Sequence, residues 1–319
     1  MAVYLHQVEG ALLHTEQNKE FLSSPGALER AFREGRTLEA PVLLCDAQMR
    51  LHVDLGCMRG LIVREEAVWC RRDEQIKDIA ILTRVGKPVC FKILGFTQER
   101  GERVALLSRR AAQAECAAYF FENLHAGDVI PARVTHLEPY GAFLDVGCGI
   151  SSLLSIDCIS VSRISHPQDR LCCGMKLFVV IKSVDKAMQR IFVTLKELLG
   201  TWEENAAHFH AGETVTGKVR SIESYGIFVE LAPNLAGLAE LKPTGDPCMP
   251  RVGDTASVYI KSILPERMKI KLVIIDSYPC TELPSPPQYY IDPHTVRHLD
   301  YWEYSPACSP RLIESRFEE

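Results

Sequence analysis

The sequence predicts an all-β protein with helical linkers, built as three tandem five-stranded barrels. Two observations predict it. The first is an internal repeat. Residues 127–143 read GDVIPARVTHLEPYGAF, and 85 positions later residues 212–228 read GETVTGKVRSIESYGIF. Six of the 17 positions are identical: Gly127/Gly212, Val134/Val219, Glu138/Glu223, Tyr140/Tyr225, Gly141/Gly226 and Phe143/Phe228. Most others keep their class, as in Asp128/Glu213 and Arg133/Lys218. Such a repeat is one small unit used more than once, so the fold is read per unit. The second observation is what each unit contains: short runs rich in Val and Ile, broken by Gly, Asp and Pro turns. That is the composition of strands and tight turns.

Taken in order, residues 1–34 read as an N-terminal helical extension, with a helix start at Ser24-Pro25, a capping residue followed by a first-turn proline. Residues 35–110 read as a degenerate copy of the repeat. GRTLEAPV aligns with GDVIPARV and is followed by RLHVDLG (50–56), GLIV (60–63), KPVCFKILGF after Gly86, and RVALLS (103–108). A helical linker is expected over 111–126, in an Ala-rich stretch without Gly or Pro. The second unit, 127–198, continues from YGAF into LDVG, restarts at Gly174, and ends in KLFVVIKSVD and RIFVTLKE. A second linker follows over 199–211. The third unit, 212–276, runs parallel through VELA, Gly253, TASVYIKSIL and KIKLVIID. The C-terminal extension, 277–319, holds seven of the 18 prolines, five of the ten tyrosines, and Trp302. Disordered segments are poor in aromatics, so this one is expected to be ordered and packed on the third barrel.

At 319 residues and 47% hydrophobic, the chain is long enough for several small cores. No apolar run reaches membrane-spanning length, and the opening MAVYLHQVEG lacks a basic region followed by an apolar one. The expectation is a cytoplasmic protein with no membrane partner. The 12 cysteines contain no CxxC spacing and read as reduced thiols. The net charge of −5 speaks against a strongly basic nucleic-acid surface, but its distribution is uneven. Residues 35–110 hold 14 Lys/Arg against 10 Asp/Glu, 127–198 hold 8 against 7, and 212–276 hold 8 against 8. The negative charge therefore lies outside the barrels.

Alternation of side chains along a strand decides what each barrel displays. In YGAFLDVG the apolar set Ala142, Leu144 and Val146 shares one face and must point inward, which sends Phe143 and Asp145 outward. By the same rule Ile227, Val229 and Leu231 point inward, while Phe228 and Glu230 point outward. In the degenerate copy His52 and Asp54 are the outward pair. Cations join the exterior from neighbouring strands: Arg133, Lys182 and Arg190 in the second unit, and Lys218, Lys261 and Lys269 in the third. Exposed aromatics among cations form a stacking platform with phosphate contacts, the device used to hold single-stranded RNA or DNA. The plainer reading is that linker helices cover these rings.

The run G-x-V-x-x-x-V…YGAF-L-D, a closing glycine, V-x-x-VD and RI-x-V-T-x-K resembles the RNA-binding repeat of the bacterial small-ribosomal-subunit protein S-one family. The resemblance covers about 210 residues, and VREEA (63–67) with ALLSRRAAQ (105–113) is similar to the short forms with three repeats. It implies OB-type five-stranded barrels and a non-catalytic protein that binds single-stranded RNA, with mRNA capture at the small ribosomal subunit as its role in translation. The family's strand aromatics match Tyr140 and Phe143, and again Tyr225 and Phe228. Its aspartate and arginine before the last strand match Asp185 and Arg190. In the third unit Leu264 and Lys269 stand there. A family histidine is replaced by Ser155 and Glu240, and in the first unit Met49 and His52 stand in place of both aromatics.

Other readings are weaker. His208/His210 and His294/His298 have chelating spacing but no completing cluster, so no metal is expected. Without GxxxxGK, GxGxxG or GxSxG, no cofactor or catalytic site is expected either. Tyr289, Tyr290 and Trp302 read as packing residues that anchor the tail. Two alternatives remain open: a protein-interaction scaffold of OB barrels, and an accessory protein of RNA turnover. The second is disfavoured as an enzyme because no segment outside the barrels can house a catalytic domain.

Overall fold

The computed structural model describes residues 7–70, 75–241, 250–279 and 284–317. Two short helices come first. Thr15 caps α1 (Glu16–Leu22) by accepting from the Asn18 N–H, and Ser24 caps α2 (Pro25–Arg33) by accepting from Ala27, with Pro25 in the first turn.

Three closed barrels follow. The first comprises β1 (Leu38–Cys45), β2 (Leu51–Asp54), β3 (Arg59–Ile62), β4 (Pro88–Glu99) and β5 (Glu102–Ser108), with α3 (Asp78–Leu82) between β3 and β4; its strand order is β1-β2-β3-β5-β4. Ser108 then caps α4 (Arg109–Asn123), the helix expected from the Ala-rich linker. The second barrel comprises β6 (Val129–Glu138), β7 (Gly141–Asp145), β8 (Ser151–Ser155), β9 (Lys176–Asp185) and β10 (Arg190–Thr194), in the order β10-β8-β7-β6-β9. Then comes α5 (Trp202–Ala206), only five residues long. Thr201 caps it by accepting from the Glu204 N–H, and Gly200 before it sits at φ 82°, where a Cβ would lie 2.7 Å from the Tyr290 ring. The third barrel comprises β11 (Thr214–Glu223), β12 (Gly226–Ala232), β13 (Leu235–Ala239), β14 (Thr255–Leu264) and β15 (Lys269–Tyr278), in the order β11-β12-β13-β15-β14. In all three, the third strand runs parallel to the fifth. Closure removes the open edges of these three sheets.

The chain divides into two compact units: residues 1–124 with 145–152 and 184–190, and residues 125–144, 153–183 and 191–319. In the first unit, Phe21 and Leu28 from the helices pack on a core of Leu38, Val53, Ile62, Phe91 and Leu107. Beside it, Arg109 grips Glu9 through two hydrogen bonds of 2.6 and 2.9 Å, with both side chains buried. Burial pushes the Glu9 carboxyl upward, but the adjoining Arg109 outweighs it and holds Glu9 below the usual carboxylate range. The ten described cysteines are free thiols.

In the second unit the described residues of the tail do not lie on the third barrel alone. Trp302 and Tyr304 enter that barrel's core cluster together with Trp202. The Tyr304 hydroxyl donates to the Asn234 carbonyl, and β16 (Tyr301–Glu303) pairs with β17 (Glu314–Arg316). Upstream, the tail runs along the second barrel. The Val129 N–H donates to the Arg297 carbonyl at 2.9 Å, the Leu299 N–H to Gly127 at 2.9 Å, and the Phe178 N–H to the Tyr289 hydroxyl at 2.7 Å.

Candidate nucleic-acid interface

Strand alternation places the residues as the pattern requires. Ala142, Leu144, Ile227 and Val229 fill the barrel interiors, and Phe143 and Phe228 face outward, partly exposed. Tyr140 and Tyr225 stand free of linker helices, 56% and 65% exposed. The same arrangement recurs on the two barrels. Tyr140 and Phe143 meet edge to face with centroids 6.2 Å apart, and Tyr225 and Phe228 do so at 6.0 Å.

The glycine after each tyrosine explains the match. A Cβ on Gly141 would lie 2.5 Å from the Leu154 carbonyl oxygen, and one on Gly226 would lie 2.7 Å from that of Ala239. Only glycine lets the adjoining strand approach this closely, so the tyrosine is left on the turn above it.

The cations differ in setting. Lys182, Arg190, Lys261 and Lys269 are exposed, while Arg133 and Lys218 are half-buried. The Lys182 ammonium sits 3.2 Å from the Cys158 sulfur. Arg133 lies opposite Lys176, and Lys218 opposite Glu230. Asp185 accepts the Met188 N–H at 2.8 Å and closes the turn ahead of Arg190.

Two outward positions are not displayed at all. Asp145 points away from its barrel but is buried, accepting the N–H groups of Glu9, Gly147 and Gly149 at 2.8–2.9 Å. Burial, together with the charge of Glu9, pushes its carboxyl up to about 6. Glu230 is buried beneath Arg170 and Arg220. In the first barrel His52 turns onto Asp46 at 3.1 Å with its side chain only 13% exposed, and Met49 packs against the core.

Sequence reasoning missed three side chains on these faces. In the third barrel, register sets Ser221, Phe228, Leu238 and Lys271 in one row across four strands. Lys271 is thus an exposed cation in the row of Phe228. In the second barrel, Leu153 and Phe192 are paired, and His136 stacks on Phe143 at 6.5 Å and 24°. The 85-residue offset relates His136 to Ser221 and Leu153 to Leu238, but Phe192 and Lys271 are 79 positions apart and correspond only through their pairing with Leu153 and Leu238.

The paired histidines have packing and polar partners instead of shared ligands. His208 meets Tyr290, His294 lies edge-on to Phe178, His210 bonds Glu213, and His298 bonds Asp128. Among the described residues, no group of three or more His, Cys, Asp or Glu is placed to hold a metal ion. No described helix is long and apolar enough to cross a membrane.

This combination, closed five-stranded barrels with outward aromatics at one repeated position, defines a class, and the family profile of the S1 RNA binding domain matches residues 123–196. In sequence the chain is similar to the small ribosomal subunit protein bS1 of several bacteria. It is 31% identical to bS1 of Rhodopseudomonas palustris over 244 residues, which is 74% of this chain and 41% of that protein. It is 33% identical to bS1 of Staphylococcus haemolyticus over 170 residues, 52% of this chain and 42% of that one. The chain thus spans less than half the length of these two relatives. Among solved structures, a multidomain protein with nucleic acid binding domains from Streptococcus pneumoniae is 16% identical, covering 75% of this chain and 73% of its own, at a TM-score of 0.24.

Proposed function

We propose that this chain is a non-catalytic, cytoplasmic protein of tandem OB-type barrels that holds single-stranded RNA and works in translation by presenting mRNA to the small ribosomal subunit. The observation that carries the reading is the recurrence of one exposed aromatic pair on two barrels of one compact unit: Tyr140/Phe143 and Tyr225/Phe228. An aromatic ring left in water on a strand loses its hydrophobic burial unless a ligand covers it, and every nucleobase has a face to offer. Arg133, Lys182, Asp185 and Arg190 serve the second barrel, and Lys218, Lys261 and Lys269 the third, as backbone contacts beside the stacked bases. The similarity to small ribosomal subunit proteins supports the ribosomal part of the reading. We place the RNA-binding units at 127–198 and 212–276, with 35–110 as a third barrel lacking the aromatic pair.

The experiment is sedimentation of the tagged chain on ribosome profiles at low and high salt, alongside RNA titration followed by tyrosine and tryptophan fluorescence. Co-migration with small subunits at low salt and quenching by RNA support the reading. Migration at the top of the gradient with no RNA response removes it.

A further inference from the structure

The two platforms are not equivalent, and the difference lies in residues outside the repeated aromatic pair. In the third barrel, the outward row Ser221–Phe228–Leu238–Lys271 carries one aromatic ring. Offset by 85 positions, the second barrel has His136 in place of Ser221, Phe143 in place of Phe228, and Leu153 in place of Leu238. Phe192 stands where the third barrel has Lys271, paired with Leu153 just as Lys271 is paired with Leu238. Leu153 reaches back towards β7, its Cδ1 lying 3.2 Å from where a Cβ on Gly141 would be.

Each of these side chains is placed to receive a ligand. The His136 ring lies nearly parallel to Phe143, and its side chain is 62% exposed. Its Nε2 is tied to Glu138 at 2.7 Å, which holds the ring in that plane. Phe192 alternates with the buried Ile191 and Val193, so it faces outward and is partly exposed. The second barrel therefore carries one ring beside Phe143, His136, and another one strand further on beyond Leu153, Phe192, where the third barrel offers a hydroxyl and an ammonium.

We infer that His136 and Phe192 extend the second barrel's platform into a longer base-stacking track, so that it engages more consecutive nucleotides of single-stranded RNA than the third barrel does. This rests on the RNA-binding reading above. The physical ground is that stacking on an aromatic ring contributes base by base and is tolerant of base identity. Lys271 in the same place supplies a screened phosphate contact and no ring.

The test uses the full chain carrying Tyr225→Ala and Phe228→Ala, which removes the third barrel's aromatic pair from the readout. Into it are placed the third barrel's residues, His136→Ser and Phe192→Lys, singly and together. Phe192→Tyr is the variant that keeps a ring. Affinity is measured for oligouridylates from about three to about twelve nucleotides. The double substitution is expected to weaken binding of the longer oligomers by about fivefold or more and to leave the shortest nearly unchanged, while Phe192→Tyr retains wild-type behaviour. Unfolding midpoints confirm that each variant is folded. The inference is overturned if the double variant binds every length as its parent does while Tyr140→Ala still weakens binding. Absence of binding by the unsubstituted chain at all lengths overturns the RNA reading itself, and this inference with it.

Discussion

The guanidinium of Arg170 lies on the carboxylate of Glu230, and each side chain is only 9% exposed. Arg170 comes from the connection after β8, Glu230 from β12. Arg220 on β11 holds the other carboxylate oxygen at 2.5 Å and reaches Asp169 at 3.4 Å. Buried charges survive only when paired, and here one carboxylate serves two arginines. Glu230→Ala is expected to cost about 3–5 kcal/mol, because it strands both guanidinium groups. Urea unfolding of the full chain measures it. A loss below about 1 kcal/mol would mean that water or Asp169 compensates and that the pair is no structural anchor.

Glu39 makes stability depend on pH. Its carboxylate accepts the N–H groups of Gly10, Leu12 and Leu13 at 2.8–3.0 Å. Burial nevertheless dominates and, with the charge of Glu9 nearby, pushes its carboxyl from 4.5 up to about 7. The folded state then binds this proton more tightly than the unfolded one. The contribution is complete below about pH 4.5 and is lost as pH rises to about 7. Asp145, pushed up to about 6, acts in the same direction. The melting temperature is expected to fall between about pH 5 and about pH 7.5, and Glu39→Gln is expected to flatten that decline. An unchanged slope in Glu39→Gln assigns the effect elsewhere.

Ranking the barrels separates stacking from charge. The second barrel has the aromatic pair with Asp185 and Arg190, the third keeps the pair, and the first has neither aromatic but the most positive segment. Stacking contributes about 1–3 kcal/mol per base, more than a solvated cation. Tyr140→Ala with Phe143→Ala is therefore expected to lower RNA affinity at least about tenfold, Tyr225→Ala with Phe228→Ala to lower it less, and His52→Ala hardly at all. Arg64 pairs with Asp78 at 2.5 Å, so Arg64→Ala is also expected to leave binding unchanged. Titrations at near-physiological salt decide the order. A dominant effect of cations in the first barrel reverses the argument.

Strand preference follows from the same rings. Bases in a duplex are already stacked on each other, so unstructured RNA is expected to bind more tightly than duplex. With near-neutral barrels the salt dependence is expected to be shallow, on the order of three or four released ions. Equal affinity for duplex and single strand sinks the stacking mechanism.

The barrels and the display of Phe143 and Phe228 were legible in the sequence, because both depend on local period. A two-residue alternation of apolar side chains, repeated 85 positions apart, specifies which face turns inward whatever surrounds the barrel. For Asp145 and Glu230 the same rule gives the face but not the burial. It sent them outward correctly, yet what covers an outward residue is set by segments distant in sequence: Glu9 in one case, Arg170 in the other. The tail's contact with the second barrel was not legible, because Tyr289 on Phe178 joins residues 111 positions apart. The track through His136, Phe143 and Phe192 belongs to the same category. Each residue is visible in its own strand, but only strand pairing brings β6, β7 and β10 to one surface, because register is a property of the closed barrel and not of any strand in it.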